Sequence, residues 1–368
     1  MDKLSELKSI LSKQLTWHKS HIDCLIQMLL ALVTVRTVNL RELAVAMSSK
    51  KTLIASREQR LYRFFAHFEF SIEAISHWII NLFFSRETKF YIAIDRTNWS
   101  WGKSPVNIFM ISLCYEGIAL PFYWKVLKKN GSTSGREQIE LVEKVLQLIG
   151  TERVEGLLAD REFGNKEFIS YLTVASIPFY IRIKEDNLTY IKGRKFKKAG
   201  QLFPHLKRYT PEVFGMIVEI FDQKLYLTAS KNERNELMIV ATNKNYKQAI
   251  SIYLRRWEVE CLFQSLKGRG FRFEETHMTK PERIEKMIGI LAIAFVWAHK
   301  IGEWQAVKKP IRLKKLKTFL TTQKRPAYSL FRYGFDIIRD AITGFTINWG
   351  LLKKTFKLLD FNPIGAIL

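Results

Sequence analysis

Two short apolar runs each lead straight into an aspartate. Phe90-Tyr91-Ile92-Ala93-Ile94 ends in Asp95, and Val154-Glu155-Gly156-Leu157-Leu158-Ala159 ends in Asp160. Runs of this length and apolarity, too short for helices, predict buried strands. The chain around them has a definite rhythm. Val106 to Tyr115 and Ile118 to Leu127 are two further strand-like runs joined at Glu116-Gly117, which predicts a three-stranded antiparallel meander. A basic loop rich in Gly and Ser, 125–136, precedes a helix from Arg136 to about Leu148 with Ile139, Val142, Leu146 and Ile149 as its apolar stripe. After Asp160 come a helix from about Asn165 to Ala175, a stop at Pro178, and a fifth strand at Phe179 to Lys184. An aspartate after a strand is commonly a turn or cap former. Two of them at corresponding strand ends, in a chain that alternates strand and helix, raise the question of a third partner.

Tyr253 to Lys267, Y-L-R-R-W-E-V-E-C-L-F-Q-S-L-K, supplies one. As a helix at about 100° per residue, it places Tyr253, Arg256, Glu260 and Lys267 within an arc of about 60°. Ile252, Val259, Leu262, Phe263 and Leu266 form an apolar stripe elsewhere on it. The bland reading of the polar face is solvated i,i+4 pairing, Arg256 with Glu260 above all. A functional reading discounts that bridge and keeps the Glu260 oxygens free; Arg256 then offers a planar fork, Lys267 a point charge, and Tyr253 a hydrogen bond or stacking face.

The spacing Tyr253, Arg256, Glu260, Lys267, with Trp257 after the arginine, resembles the Y-R-E-K signature of DDE transposases of bacterial insertion sequences, the insertion-sequence-4 group. D-R-T-N-W at Asp95 and D-R-E-F at Asp160 are similar to that family's patterns, and the resemblance runs from about Phe90 to Glu303. The order strand-strand-strand-helix-strand-helix-strand, completed by the helix at Tyr253, is that of a ribonuclease-H-like fold. The expected class is therefore mixed α/β: a ribonuclease-H-like core with a β-rich insertion, flanked by helical regions. The resemblance implies Asp95, Asp160 and Glu260 as catalytic carboxylates. They would hold two Mg²⁺ or Mn²⁺ ions, hard cations suited to oxygen ligands, for in-line attack on a phosphodiester. It implies that Tyr253, Arg256, Trp257 and Lys267 contact DNA near the cleaved end. The implied partners are double-stranded DNA, as terminal inverted repeats and as target, and a second copy of the chain in the DNA complex. The implied reaction is cut-and-paste transposition in a bacterial cytoplasm. A ribonuclease-H-like nuclease without strand transfer, and a non-catalytic DNA-binding protein, are the alternatives. Relatives that excise through a hairpin hold a flipped base on a tryptophan in the insertion. Here no tryptophan lies between Phe163 and Arg256, and Phe203, Tyr209, Phe214, Phe221 or Tyr226 would have to serve.

Charge points the same way. The chain has 59 Lys and Arg against 35 Asp and Glu, a net +24, which suits a polyanionic partner. The segment from Ala306 onward carries 13 Lys or Arg against three Asp or Glu. Cys24, Cys114 and Cys261 are too far apart in sequence to suggest a zinc motif or a disulfide framework. The longest apolar run, Met287 to Ala298, is too short to span a bilayer, so no membrane is expected. The expected division is a helical DNA-binding domain over 1–85, the catalytic domain over 86–305 with its insertion at 185–247, and a basic region over 306–368 that would serve dimerisation. In the first, Asn39, Ser56 and Ser71 are candidate N-caps, and Arg57, Arg60 and Arg63 share one helix side within a stretch resembling the family's R-x-x-R-F-F. In the insertion, alternating runs at 215–221, 224–229 and 236–242 predict strands. Lys192, Arg194, Lys195, Lys197 and Lys198 make a basic cluster.

Overall fold

The computed structural model describes residues 4–47, 52–192, 194–317, 322–344 and 346–360. In chain order its longer elements begin with helices α1 (Ser5–Gln14), α2 (Lys19–Val35), α3 (Leu40–Ala46), α4 (Ile54–His67) and α5 (Ile72–Phe83). Strands β1 (Phe90–Trp101), β2 (Ser104–Tyr115) and β3 (Ile118–Val126) follow, then α6 (Gly135–Ile149), β4 (Val154–Ala159), α7 (Lys166–Val174) and β5 (Phe179–Ile183). The next stretch is β-rich: β6 (Leu188–Ile191), β7 (Arg194–Lys198), β8 (Glu212–Val213), β9 (Val218–Ile220), β10 (Gln223–Lys231) and β11 (Leu237–Thr242). Helices α8 (Ala249–Leu254), α9 (Trp257–Leu266) and α10 (Pro281–Lys308), the hairpin β12 (Leu313–Lys317) and β13 (Thr322–Pro326), and helices α11 (Leu330–Thr343) and α12 (Trp349–Lys357) complete it. The chain divides into two compact units, one of residues 1–86, 101–104 and 263–368, the other of residues 87–100 and 105–262.

The second unit is built on a sheet ordered β3-β2-β1-β4-β5-β11-β10-β9-β6-β7, with β8 paired to β10. Its first five strands have the ribonuclease-H-like order. β2 and β3 pair antiparallel, whereas β1, β4 and β5 run parallel. The crossovers between the parallel strands are α6 and α7, which such a connection requires. β2 is buried from Val106 to Cys114, a largely apolar run whose polar members Asn107 and Ser112 are hydrogen-bonded to backbone carbonyls. Ser134 caps α6 in a reciprocal capping box with Glu137, and Asn165 caps α7 through the Phe168 amide. The insertion is a continuation of this sheet rather than a separate lobe, since β11 pairs along β5 from Ile239↔Ile183 to Thr242↔Tyr180.

Two local expectations change. β1 does not stop at Asp95 but runs on to Trp101. Ser56 caps nothing, because α4 starts earlier, at Ile54, and Ser56 falls within its first turn; Asn39 and Ser71 do cap α3 and α5. The basic cluster after Lys192 includes a strand: Arg194–Lys198 is β7, paired antiparallel with β6.

The first unit is helical. α10 is its axis, buried from Met287 to Gly302. α11 lies against it where two glycines leave room: a Cβ on Gly302 would run into the Leu330 carbonyl, and one on Gly334 into the Ala298 carbonyl. Phe295 stacks on Phe331 with ring centroids 4.9 Å apart, and Phe271 meets Phe331 and Phe335 edge-on. Among the described residues no single helix is long and apolar enough to cross a membrane.

Candidate active site

The register of β1 on β4 brings the two aspartates together. The last parallel pair is Ile94↔Ala159, so Asp95 and Asp160 are each the first residue beyond it, side by side. Both do the same thing locally: Oδ1 accepts the amide of the next residue, Arg96 or Arg161, at 2.7 Å. That is the cap-forming role expected of such residues, and it coexists with a second one. The ends of β1 and β4 are also tied by side chains. Arg96 donates to both Glu162 oxygens at 3.1 Å and to Asn107 Oδ1 at 2.9 Å, and Asn107 donates onward to the Lys129 and Gly131 carbonyls. The bidentate fork fixes the residue after Asp95 against the second residue after Asp160. The sequence carries a signal for this pair, since both aspartates are followed by arginine and the second by Arg-Glu, but periodicity says nothing about pairing across strands.

Glu260 comes from α9. The segment from Tyr253 to Lys267 is not one helix: α8 ends at Leu254 and α9 starts at Trp257. Between them the amides of Arg255, Arg256, Glu258 and Val259 bond three residues back, a 3₁₀-like tightening. Residues three apart eclipse in such a turn, and Arg255 accordingly meets Glu258 at 3.1 Å.

The polar face expected to look outward is turned inward. Tyr253 is 2% exposed and Arg256 6%. Arg256 Nη1 donates to Asp95 Oδ2 at 2.9 Å and Nη2 to Glu260 Oε1 at 2.7 Å, so one guanidinium spans two carboxylates. The i,i+4 bridge that the functional reading discounts is therefore present. The physical reason is burial: Arg256 and Asp95 are drawn into a site where, among the described residues, no other cation pairs with Asp95 or Glu260, so the guanidinium serves both as counter-ion. Tyr253 lies under Arg256, whose guanidinium is 5.8 Å from the ring centroid, and its hydroxyl reaches Asp160 Oδ1 at 3.4 Å. Arg182, from β5, stands 4.0 Å from the same oxygen, and nothing in its local sequence marks it for that place.

Burial pushes the Asp95 carboxyl up to about 6, against the opposing pull of Arg256 and the Arg96 amide. Burial likewise lifts the Tyr253 phenol to about 12. For Arg256 burial works towards a lower pKa, but Tyr253, Asp95, Asp160 and the bond to Glu260 outweigh it and hold the group above its ordinary value. The guanidinium thus stays charged, and Asp95 takes up a proton more readily than an ordinary aspartate.

The remaining candidates lie elsewhere. Trp257 is 56% exposed. Lys267 belongs to the first unit, where it pairs with Glu274 at 2.9 Å. In α4, Arg57 donates to the Val45 and Met47 carbonyls and Arg60 to the Ser20 carbonyl and Asp23, so these arginines tie helices together. Asp95, Asp160 and Glu260 form an all-oxygen donor set, which fits a hard divalent cation. With Arg256 between Asp95 and Glu260, no group of three or more His, Cys, Asp or Glu among the described residues is placed to hold a metal ion.

Residues 91–297, more than half of the chain, match the model of a family described as transposase DDE domain. No curated protein matches the chain. Among solved structures, a cryo-EM structure of the piggyBac transposase synaptic complex with hairpin DNA is similar over 99% of this chain and 84% of that one, at 11% identity and a TM-score of 0.45. A likeness of that size carries no weight for function.

Proposed function

Because the chain belongs to the transposase DDE domain family, whose members generally use divalent metal ions, we propose that it is the transposase of a bacterial insertion sequence, of the insertion-sequence-4 type with the Y-R-E-K signature. It binds the terminal inverted repeats of its element as a homodimer in the bacterial cytoplasm, cuts there, and joins the ends to target DNA. The observation that carries this reading is the meeting of three carboxylates from three elements: Asp95 and Asp160 side by side beyond the last β1/β4 pair, and Glu260 joined to Asp95 through one guanidinium. Bound at these carboxylates, two Mg²⁺ or Mn²⁺ ions would activate the attacking water or 3′-hydroxyl and stabilise the leaving oxygen.

The chain's own residues have separate tasks. The Arg96–Glu162 fork holds the two aspartate-bearing strand ends at a fixed spacing. Tyr253 walls the site and steadies Asp160. Trp257, with its ring exposed, offers a stacking face to DNA, and Lys267 a charge to a phosphate. Tyr253 and Arg256 can touch DNA only after releasing the carboxylates they now hold. Residues 1–85 serve as the end-binding domain and 306–368 contribute to dimerisation in this reading. The test is a strand-transfer assay with labelled terminal repeats and a target duplex. Joined product supports a transposase. Cleavage without joining would leave a nuclease, and binding alone a DNA-binding protein.

A further inference from the structure

Arg256 is placed where a metal ion would be expected to act, and its geometry is that of a substitute cation. Its two terminal nitrogens do not grip one carboxylate, as a fork normally does. They divide between Asp95 on β1 and Glu260 on α9, at 2.9 and 2.7 Å, with the side chain 7% exposed. The separation of those two carboxylates is thereby set by the width of a guanidinium. The third donor is left over: Nε is buried with no hydrogen-bond partner among the described residues. A buried unmatched N–H costs free energy, so this pose is not one in which the side chain is fully satisfied. Asp160, the remaining carboxylate, is outside the clamp, with Tyr253 at 3.4 Å and Arg182 at 4.0 Å.

We propose that Arg256 is a positioning residue that holds Asp95 and Glu260 towards one point in the metal-free protein and gives up that point to a divalent cation. This rests on the functional reading above. A divalent cation bound between Asp95 and Glu260 would need the oxygens that the guanidinium now holds. The attraction that seats the guanidinium becomes a like-charge repulsion once a divalent ion takes the same oxygens, and the site's burial strengthens it. Arg256 therefore competes with the metal for ligands while keeping those ligands from splaying apart. The Tyr253 ring, 5.8 Å from the guanidinium, is a face against which the side chain stays as it leaves.

The experiment is a titration of the full chain, without DNA, by Mn²⁺ alone, following free Mn²⁺ by electron paramagnetic resonance. Wild type is compared with Arg256→Gln, Arg256→Lys and Asp95→Asn, each first shown to be folded by circular dichroism. Arg256→Gln should bind Mn²⁺ at least about tenfold more tightly, because it removes the two charged hydrogen bonds that compete for the same carboxylates. Arg256→Lys should fall between the two, because an ammonium cannot span both carboxylates with a planar fork. It also keeps a buried cation, so it remains informative where the glutamine variant does not fold. Asp95→Asn should lose Mn²⁺ binding. Equal or weaker binding in folded Arg256→Gln, or in Arg256→Lys alone, overturns the competition while leaving the carboxylates as ligands. Undiminished Mn²⁺ binding in Asp95→Asn overturns the carboxylate site and this proposal with it.

Discussion

At the scale of single residues, the centre of the site is a buried charge cluster, and its members are not interchangeable. Asp95→Asn, Asp160→Asn and Glu260→Gln each replace an oxygen proposed to hold the metal by a poor ligand of the same shape. Each should abolish cleavage and leave binding of a terminal repeat within about threefold, as a cleavage assay beside a gel shift would read. Arg256→Ala is a different kind of change. The helical period alone puts Arg256 on an outer face, from which its loss should barely move the melting temperature. Buried between Asp95 and Glu260, its removal instead strands two carboxylates and should cost about 3 kcal/mol or more, read as a lower midpoint in urea. Asp95 also gives the site a pH limit. Its carboxyl is raised from an ordinary 3.8 to about 6, so the folded protein binds this proton more readily than the unfolded chain. The stability associated with protonated Asp95 is present below about pH 4 and is lost as pH rises towards 6. In the proposed site metal binding needs the ionised form, so the apparent affinity for Mn²⁺ should fall as pH drops below about 6, with a slope of one proton. An affinity unchanged down to about pH 4.5 would show that Asp95 ionises like an exposed carboxylate.

At the scale of elements, what the sequence makes legible is whatever local pattern controls. The five core strands, α6 and α7 stand close to their expected places because short apolar runs and apolar stripes determine them. The two aspartates stand out because each ends such a run. What periodicity cannot supply is the environment that other elements create. The Tyr253–Glu260 face is polar and therefore reads as exposed, yet it is buried because β1 and β4 bring carboxylates to it. β7 escapes sequence reading for the opposite reason: all five of its residues are exposed, so no alternation marks it as a strand. Arg194, Lys195, Lys197 and Lys198 there are an unshielded positive edge with Phe196 among them, 40% exposed. Replacing the four cations by Ser should leave the melting temperature within a degree or two, since surface changes cost little. It should weaken DNA binding and reduce the dependence of log K on log salt by about 0.9 for each phosphate that is no longer neutralised. An unchanged salt slope would remove this strand from the DNA interface.

At the scale of the whole molecule, charge and packing make separate demands on the C-terminal region. Its surplus of Lys and Arg, within a chain of net +24, suits DNA, and affinity for a terminal repeat should fall steeply between low and moderate salt. If the region were only a basic appendage, removing everything after Ala306 would reduce the pairing of two DNA ends more than the binding of one. Its described helices are not appended, however. α11 buries Phe331, Phe335, Ile338 and Ala341 against neighbours that include α10, and α12 buries Leu352 and Phe356. The glycines at 302 and 334 sit where the backbone of α10 meets that of α11. Each large apolar side chain contributes about 1.5–3 kcal/mol by burial, so losing these together removes as much as a whole domain's net stability of about 5–15 kcal/mol. Truncation after Ala306 should therefore unfold the helical unit, with loss of one-end binding and two-end pairing alike. Gly334→Ala, which keeps every charge but forces a Cβ into the Ala298 carbonyl, should reproduce part of that loss as a lower melting temperature. Thermal melts of the truncated chain and of Gly334→Ala, beside gel shifts with one and two ends, separate the two roles. A truncated chain that melts like the full one while losing only two-end pairing would return the region to an assembly arm.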